Sequence, residues 1–274
     1  MIHILSSAFS DPVFRLAVAG CFGLCAGSFL NVVIARLPGG ASVVTPSSRC
    51  PECGALVRWY DNIPVVSWLI WLRGKCRACG WPIPFRYPAV ELAGAAVAVL
   101  VVWFKSGPWP VATGLMVGWA FVAISLIDFD HKIIPDSISM PGVALVLGTS
   151  WLPGRTGTEP AVLGMLLGAG MFWSVRELYY RMTGREGLGM GDVKLMALAG
   201  ALLGPLGVCV AILAASLTGF VVALVLIATG RAGRFTEIPF GPYLAAGTFV
   251  VFLGGGKIEL LLRLGMVNLM QRLL

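Results

Sequence analysis

Two aspartates are placed to do chemistry. Asp128 stands in Ser125-Leu126-Ile127-Asp128-Phe129-Asp130-His131-Lys132, where an apolar run from Val111 to Ile127 gives out. Asp192 stands behind three glycines in Gly187-Leu188-Gly189-Met190-Gly191-Asp192, at the entrance to a second apolar run that ends at Leu203. A carboxylate at the edge of hydrocarbon is expensive, at about 2.5–3.5 kcal/mol near the centre of a membrane helix on the lower scales. Two that close cannot both ionise comfortably, so they share a proton. The ionised member can take a proton from water while the protonated member polarises a peptide carbonyl, which is aspartyl-protease chemistry described by two pKa values belonging to the pair. The competing reading is that the acids cap helices, since Asp is favoured at helix N-termini. Asp192 before its apolar run and Asp136 after Pro135 both suit that role, and Glu91 in Tyr87-Pro88-Ala89-Val90-Glu91 divides the same way between first-turn dipole partner and site residue.

Four cysteines form the second group. Arg49-Cys50-Pro51-Glu52-Cys53-Gly54 and Gly74-Lys75-Cys76-Arg77-Ala78-Cys79-Gly80 give two C-x2-C pairs separated by 22 residues. Each turn aims two thiolates at one tetrahedral ion, so Cys50, Cys53, Cys76 and Cys79 are the expected ligands of a structural zinc. Redox thiols or an unmetallated remnant are the alternatives. Haem attachment would need a His after the second Cys, where Gly54 and Gly80 stand. Cys21, Cys25 and Cys209 lie in apolar runs and are read as packing residues.

The elements that must hold these groups are membrane helices. The chain of 274 residues is 58% hydrophobic and 12% charged, with a mean hydropathy of +0.88, where soluble domains carry roughly 25% charge. Apolar runs at 13–34, 90–104, 111–127, 138–152, 161–175, 193–203, 206–229 and 240–253 predict an all-α polytopic protein of about eight transmembrane helices. The first lacks the basic n-region and cleavage site of a signal peptide, so it is expected to stay, with its N-terminus outside. Loops 36–87, 128–136, 176–192 and 230–238 then fall in the cytoplasm and hold thirteen of the twenty Lys and Arg residues, as the positive-inside rule requires. Arg263 and Arg272 fit least well. The net charge of +7 therefore marks topology and not a nucleic-acid surface. Three regions are expected: a first helix over 1–35, a small cytoplasmic zinc-knuckle domain over 36–87, and a membrane domain over 88–274 that carries both aspartates.

Gly27-Ser28-Phe29-Leu30-Asn31-Val32, the four-cysteine loop, Asn62-Ile63-Pro64, Tyr87-Pro88-Ala89-Val90-Glu91, Ile127-Asp128 through Pro135-Asp136 and Gly189-Met190-Gly191-Asp192 together resemble the type IV prepilin peptidase family. These are bifunctional leader peptidases and N-methyltransferases of bacterial type IV pilus and type II secretion systems. The resemblance implies Asp128 and Asp192 as the catalytic pair, with Asp130 and Asp136 as decoys. It implies prepilin and pseudopilin substrates, cut after a glycine at the cytoplasmic face of the inner membrane. It implies methylation of the new N-terminal residue with S-adenosylmethionine, and links Gly74 and Lys75 to that activity. On residue chemistry alone Gly74 is a turn residue and Lys75 a solvated loop cation. Asp61 stands where relatives often carry Glu, which would touch methylation before proteolysis. A proton-coupled transporter, with acids near the midplane, and an assembly scaffold docking through its zinc module are the other readings of the same residues.

Overall fold

The structure, a computed structural model, describes residues 11–231, 233 and 239–255; Arg234, Arg263 and Arg272 lie outside the described residues. Its helices are α1 (Pro12–Arg36), the short α2 (Val66–Ile70), α3 (Arg86–Phe104), α4 (Pro108–His131), α5 (Asp136–Gly148), α6 (Thr158–Thr183), α7 (Met190–Ala228) and α8 (Gly241–Gly255). Among the described residues β-structure is limited to two isolated bridges, Arg49 with Leu56 and Lys75 with Pro82. The protein is all-helical.

Five helices, α1, α3, α4, α6 and α7, are long and apolar enough to cross a membrane, and α5 and α8 are shorter apolar helices. Every one of the eight apolar runs falls on a helix, because α7 carries two of them. Its 39 residues break at Gly204, whose φ of 76° is open to glycine and strained for other residues, immediately before Pro205. The interrupted ladder leaves a carbonyl at Leu202, which accepts the Thr156 hydroxyl at 2.7 Å.

The chain divides into two compact units. One comprises the residues up to Ser106 with Leu115–Ala123; the other comprises Gly107–Gly114 and the chain from Ile124 onward. In the first unit α1 lies against α3 so closely that a Cβ on Gly27 would come within 2.5 Å of the Glu91 Cα, and one on Gly23 within 2.5 Å of the Gly94 carbonyl. Small residues four apart thus let two backbones touch where water contributes no hydrophobic drive. The Trp119 indole then donates to the Gly94 carbonyl at 3.0 Å. In the second unit α6 and α7 make the same kind of contact, with Gly164 against Gly200. Its core is fully buried at Ile124, Ile127, Leu195, Met196, Leu198 and Leu244. Large apolar side chains such as Leu213, Leu217 and Phe220 on the second half of α7 stay exposed, as expected of a surface that faces acyl chains.

Candidate functional site

Asp128 and Asp192 both belong to the second unit. Asp128 sits in the last turn of α4, only 7% exposed, while its neighbour Asp130 is exposed. A carboxylate at a helix C-terminus opposes the macrodipole, so capping does not account for Asp128; that helix is closed by Lys132, in the left-handed region, whose N–H donates to the Asp128 carbonyl. The Asp128 side chain instead accepts the backbone N–H of Gly241, the first residue of α8, at 3.0 Å on Oδ2. A Cβ on Gly241 would approach that oxygen to 2.6 Å. Close backbone approach is what requires glycine there.

Asp192 lies in the first turn of α7, near enough to Asp128 for their charges to interact, and its side chain accepts the N–H of Gly189. That second contact is half of a capping box, so both readings of this residue describe something real. Ile134 joins the two acids' supports: a Cβ on Gly191 would meet Ile134 Cβ at 2.8 Å, and one on Gly241 would meet Ile134 Cδ1 at 3.3 Å. Asp136 opens α5 and is ion-paired with Lys194 at 2.6 Å. It lies in the first turn of α5 and tethers that helix to Lys194, outside the pair.

In the first unit the two cysteine turns repeat one geometry. Gly54 N–H donates to the Cys50 carbonyl and Gly80 N–H to the Cys76 carbonyl, each at 2.9 Å, with φ of 70° and 73° at the two glycines. All four sulfurs lie within 4.8 Å of one another, and Cys50 Sγ to Cys79 Sγ is 3.9 Å. A tetrahedral zinc–thiolate site has Zn–S of about 2.3 Å and hence S–S edges of about 3.8 Å, so the donor set fits that ion. The N–H groups of Cys79 and Ala78 lower the Cys76 thiol to about 7. Although the Trp81 N–H donates to Cys79, burial and the neighbouring thiols raise it. Among the described residues these four make the only such metal-ligand cluster.

Around this module the motifs of the first unit converge. Asp61 is held by the Arg77 guanidinium through two nitrogens, with Nε at 2.9 Å, which keeps its carboxyl below the usual carboxylate range. Gly74, with φ of 70°, donates to the Trp68 carbonyl, and a Cβ there would press on the Trp68 indole at 3.2 Å. Lys75 pairs in a bridge with Pro82. Glu91 is 9% exposed and lies well inside α3, beyond the first turn. This overturns the first-turn reading of that residue: the helix starts at Arg86, four residues before the apolar run does. Its Oε2 accepts the Val65 N–H at 2.7 Å, and Ser28 also hydrogen-bonds it. Asn31 donates to the Tyr87 carbonyl at 3.1 Å. A cavity of about 820 Å3 lies among these groups, lined by Ser28, Asn31, Asp61, Trp68, Arg77 and Glu91 among others, but by neither Gly74 nor Lys75.

The chain that carries these two sites is similar to known proteins over most of its length. Residues 21–105 match the bacterial peptidase A24 N-terminal domain, and residues 115–224 match the type IV leader peptidase family. A prepilin leader peptidase/N-methyltransferase of Stutzerimonas stutzeri is 38% identical over 272 residues, covering 91% of this chain and 94% of that protein. Proteins of the same description from Pseudomonas aeruginosa and Myxococcus xanthus are 36% and 39% identical; the first covers 91% of this chain and 93% of its own, the second 86% and 70%. The chain belongs to the type IV leader peptidase family. No solved structure matches it.

Membership gives the two sites their context, and the geometry adds residues that spacing did not reveal. Gly241 lies 113 positions from the carboxylate it contacts, and only its setting in Pro239-Phe240-Gly241-Pro242 marks it as a turn before a helix. The Asn62-Ile63-Pro64 segment leads into Val65, a β-branched residue at φ of 60° whose amide is fixed by Glu91. Such strain persists only where surroundings enforce it.

Proposed function

We propose that this protein is a membrane aspartyl endopeptidase that removes the basic leader of type IV prepilins and pseudopilins after a glycine, and that it methylates the new N-terminus. The observation that carries the first activity is Asp128, buried at a helix C-terminus whose dipole opposes its charge and within charge range of Asp192. One carboxylate takes a proton from water as the oxygen adds to the scissile carbonyl carbon, and the other gives its proton to the carbonyl oxygen. Collapse of the tetrahedral adduct breaks the C–N bond and returns a proton to the leaving amine. Gly241 N–H holds one oxygen of Asp128 throughout. Both acids sit at helix ends and not at mid-span, which speaks against a proton relay.

The enzyme works in the bacterial cytoplasmic membrane with the pair at the cytoplasmic edge, a placement supported by the Lys and Arg residues of loops 36–87 and 176–192. Residues 1–35 and the module 36–87 support methylation, and 88–274 carries the peptidase. Zinc on Cys50, Cys53, Cys76 and Cys79 is structural, since four thiolates leave no open position. S-adenosylmethionine, when bound, supplies a methyl group on a sulfonium sulfur that departs as a neutral thioether. The attacking amine loses one proton in becoming the N-methylated product. Gly74 holds the second cysteine turn against Trp68, whose ring lines a cavity roomy enough for such a donor, and Lys75 follows it in a bridge with Pro82.

A peptide with a basic leader, a Gly–Phe junction and an apolar helix, incubated with purified enzyme with and without S-adenosylmethionine, tests both activities. Cleavage without the donor and a methylated Phe with it are expected. An intact peptide would reject the peptidase reading. Cleavage with an unmodified amine would reject the second activity alone.

A further inference from the structure

Three sequence segments meet at one buried carboxylate. Gly27 brings α1 onto the Glu91 Cα, Ser28 hydrogen-bonds the Glu91 side chain, and Val65 after Asn62-Ile63-Pro64 donates to it at 2.7 Å in a strained conformation. Among the described residues its partners are all neutral: no salt bridge reaches Glu91. A buried charge with only neutral donors is costly to keep, and the acid faces a cavity of about 820 Å3, within the range of small-molecule sites. The same cavity wall carries the guanidinium of Arg77 and the indole rings of Trp68 and Trp81. Its lining therefore runs from the Glu91 carboxyl on α3 to the Arg77 guanidinium and aromatic surface on the cysteine module.

We infer that this cavity is the S-adenosylmethionine site and that Glu91 faces the donor's sulfonium, with the nucleoside end toward the cysteine module. The inference rests on the methyl-transferring reading above. A sulfonium supplies the positive charge that Glu91 lacks, and the aromatic rings offer a face for the purine. The orientation follows from the substrate: a new N-terminus that begins an apolar segment lies at the membrane boundary, and Glu91, Ser28 and Asn31 are among the lining residues carried by the membrane helices α1 and α3, with Arg36 at the C-terminus of α1. The donor's methyl group belongs at that end. Asp61, already occupied by Arg77, shapes the opposite wall.

The test is equilibrium dialysis of labelled S-adenosylmethionine and of S-adenosylhomocysteine, which lacks the sulfonium charge, against the zinc-loaded full chain in nanodiscs. Glu91→Gln and Ala55→Trp are compared with wild type, the latter placing an indole in the cavity from the half-buried residue that follows the first cysteine turn. Zinc content and melting temperature confirm that the variants are folded. Glu91→Gln should weaken S-adenosylmethionine about tenfold while changing S-adenosylhomocysteine by less than about twofold, and Ala55→Trp should weaken both about tenfold. Wild type that binds and methylates while both variants bind as wild type would overturn the site and leave the activity standing. Equal weakening of both ligands by Glu91→Gln would overturn the sulfonium contact. Wild type that neither binds the donor nor methylates would overturn the underlying reading instead.

Discussion

The two units build their sites by different means. In the first, a loop of about fifty residues with little regular structure is held by four thiolates, a bidentate Arg77–Asp61 pair and backbone bonds at glycines of positive φ. In the second, the acids ride on helix ends, α7 being set against α6 by glycine contact, and the site is completed by one amide from α8. A site made from a folded loop should fail when its staple is removed. A site made from packed helices should fail when a backbone is pushed away.

Removing zinc is the sharpest way to separate them. Thiolate–zinc sites contribute about 10–16 kcal/mol of apparent binding free energy to the folding of small modules. Chelation, or Cys50→Ser, should therefore release zinc, open residues 50–80 to protease and abolish methylation, while leader cleavage persists. Limited proteolysis with metal analysis reads this directly, and loss of cleavage at the same chelator concentration would show that the second site depends on the first.

Gly241→Ala attacks the other side. The added methyl must displace Asp128 Oδ2 or move α8, so cleavage should fall by about tenfold to a hundredfold, a displacement of the order of 1 Å being enough. Methylation of a pre-cleaved peptide should stay unchanged. Wild-type cleavage in this variant would remove Gly241 from the site.

Gly74→Ala should act more gently on the first unit, since it strains a left-handed residue by about 1 kcal/mol and presses on Trp68. Methylation should drop with zinc retained at full stoichiometry. Zinc loss in this variant would mean that Gly74 serves the metal and not the cavity wall. The smallest effect is expected from Lys194→Met. Its ion pair with Asp136 is solvent-exposed and contributes roughly 0.2–1 kcal/mol, so cleavage should change by less than about threefold. A hundredfold loss would place Lys194 among the groups that act on substrate.

How far each site could be read from sequence follows the same division. The cysteine module was legible because its geometry is local: two identical five-residue turns, each closed by its own glycine, fix where the thiolates point. The apolar runs were legible as helices, and the break between 193–203 and 206–229 proved to be the kink at Gly204 within one helix. Asp128 and Asp130, two residues apart at a helix end, could not be separated by spacing. Burial separates them, through contacts to an amide far along the chain. Of the two readings of Glu91 the first-turn one fails because hydropathy places the start of its helix at Val90, whereas the polar turn from Arg86 is helical too. Hydropathy reports where a membrane begins, not where a helix does.

The central claim is that Asp128 and Asp192 act as one unit on one water. Steady-state cleavage by Asp128→Asn, Asp192→Asn and the double variant, each checked for folding by melting temperature, tests it most directly. The account predicts a loss of roughly 10²–10⁴-fold for each single change and no further loss on combining them, because residues that act together are not additive. Full activity in either single variant, or losses that multiply in the double, would contradict it.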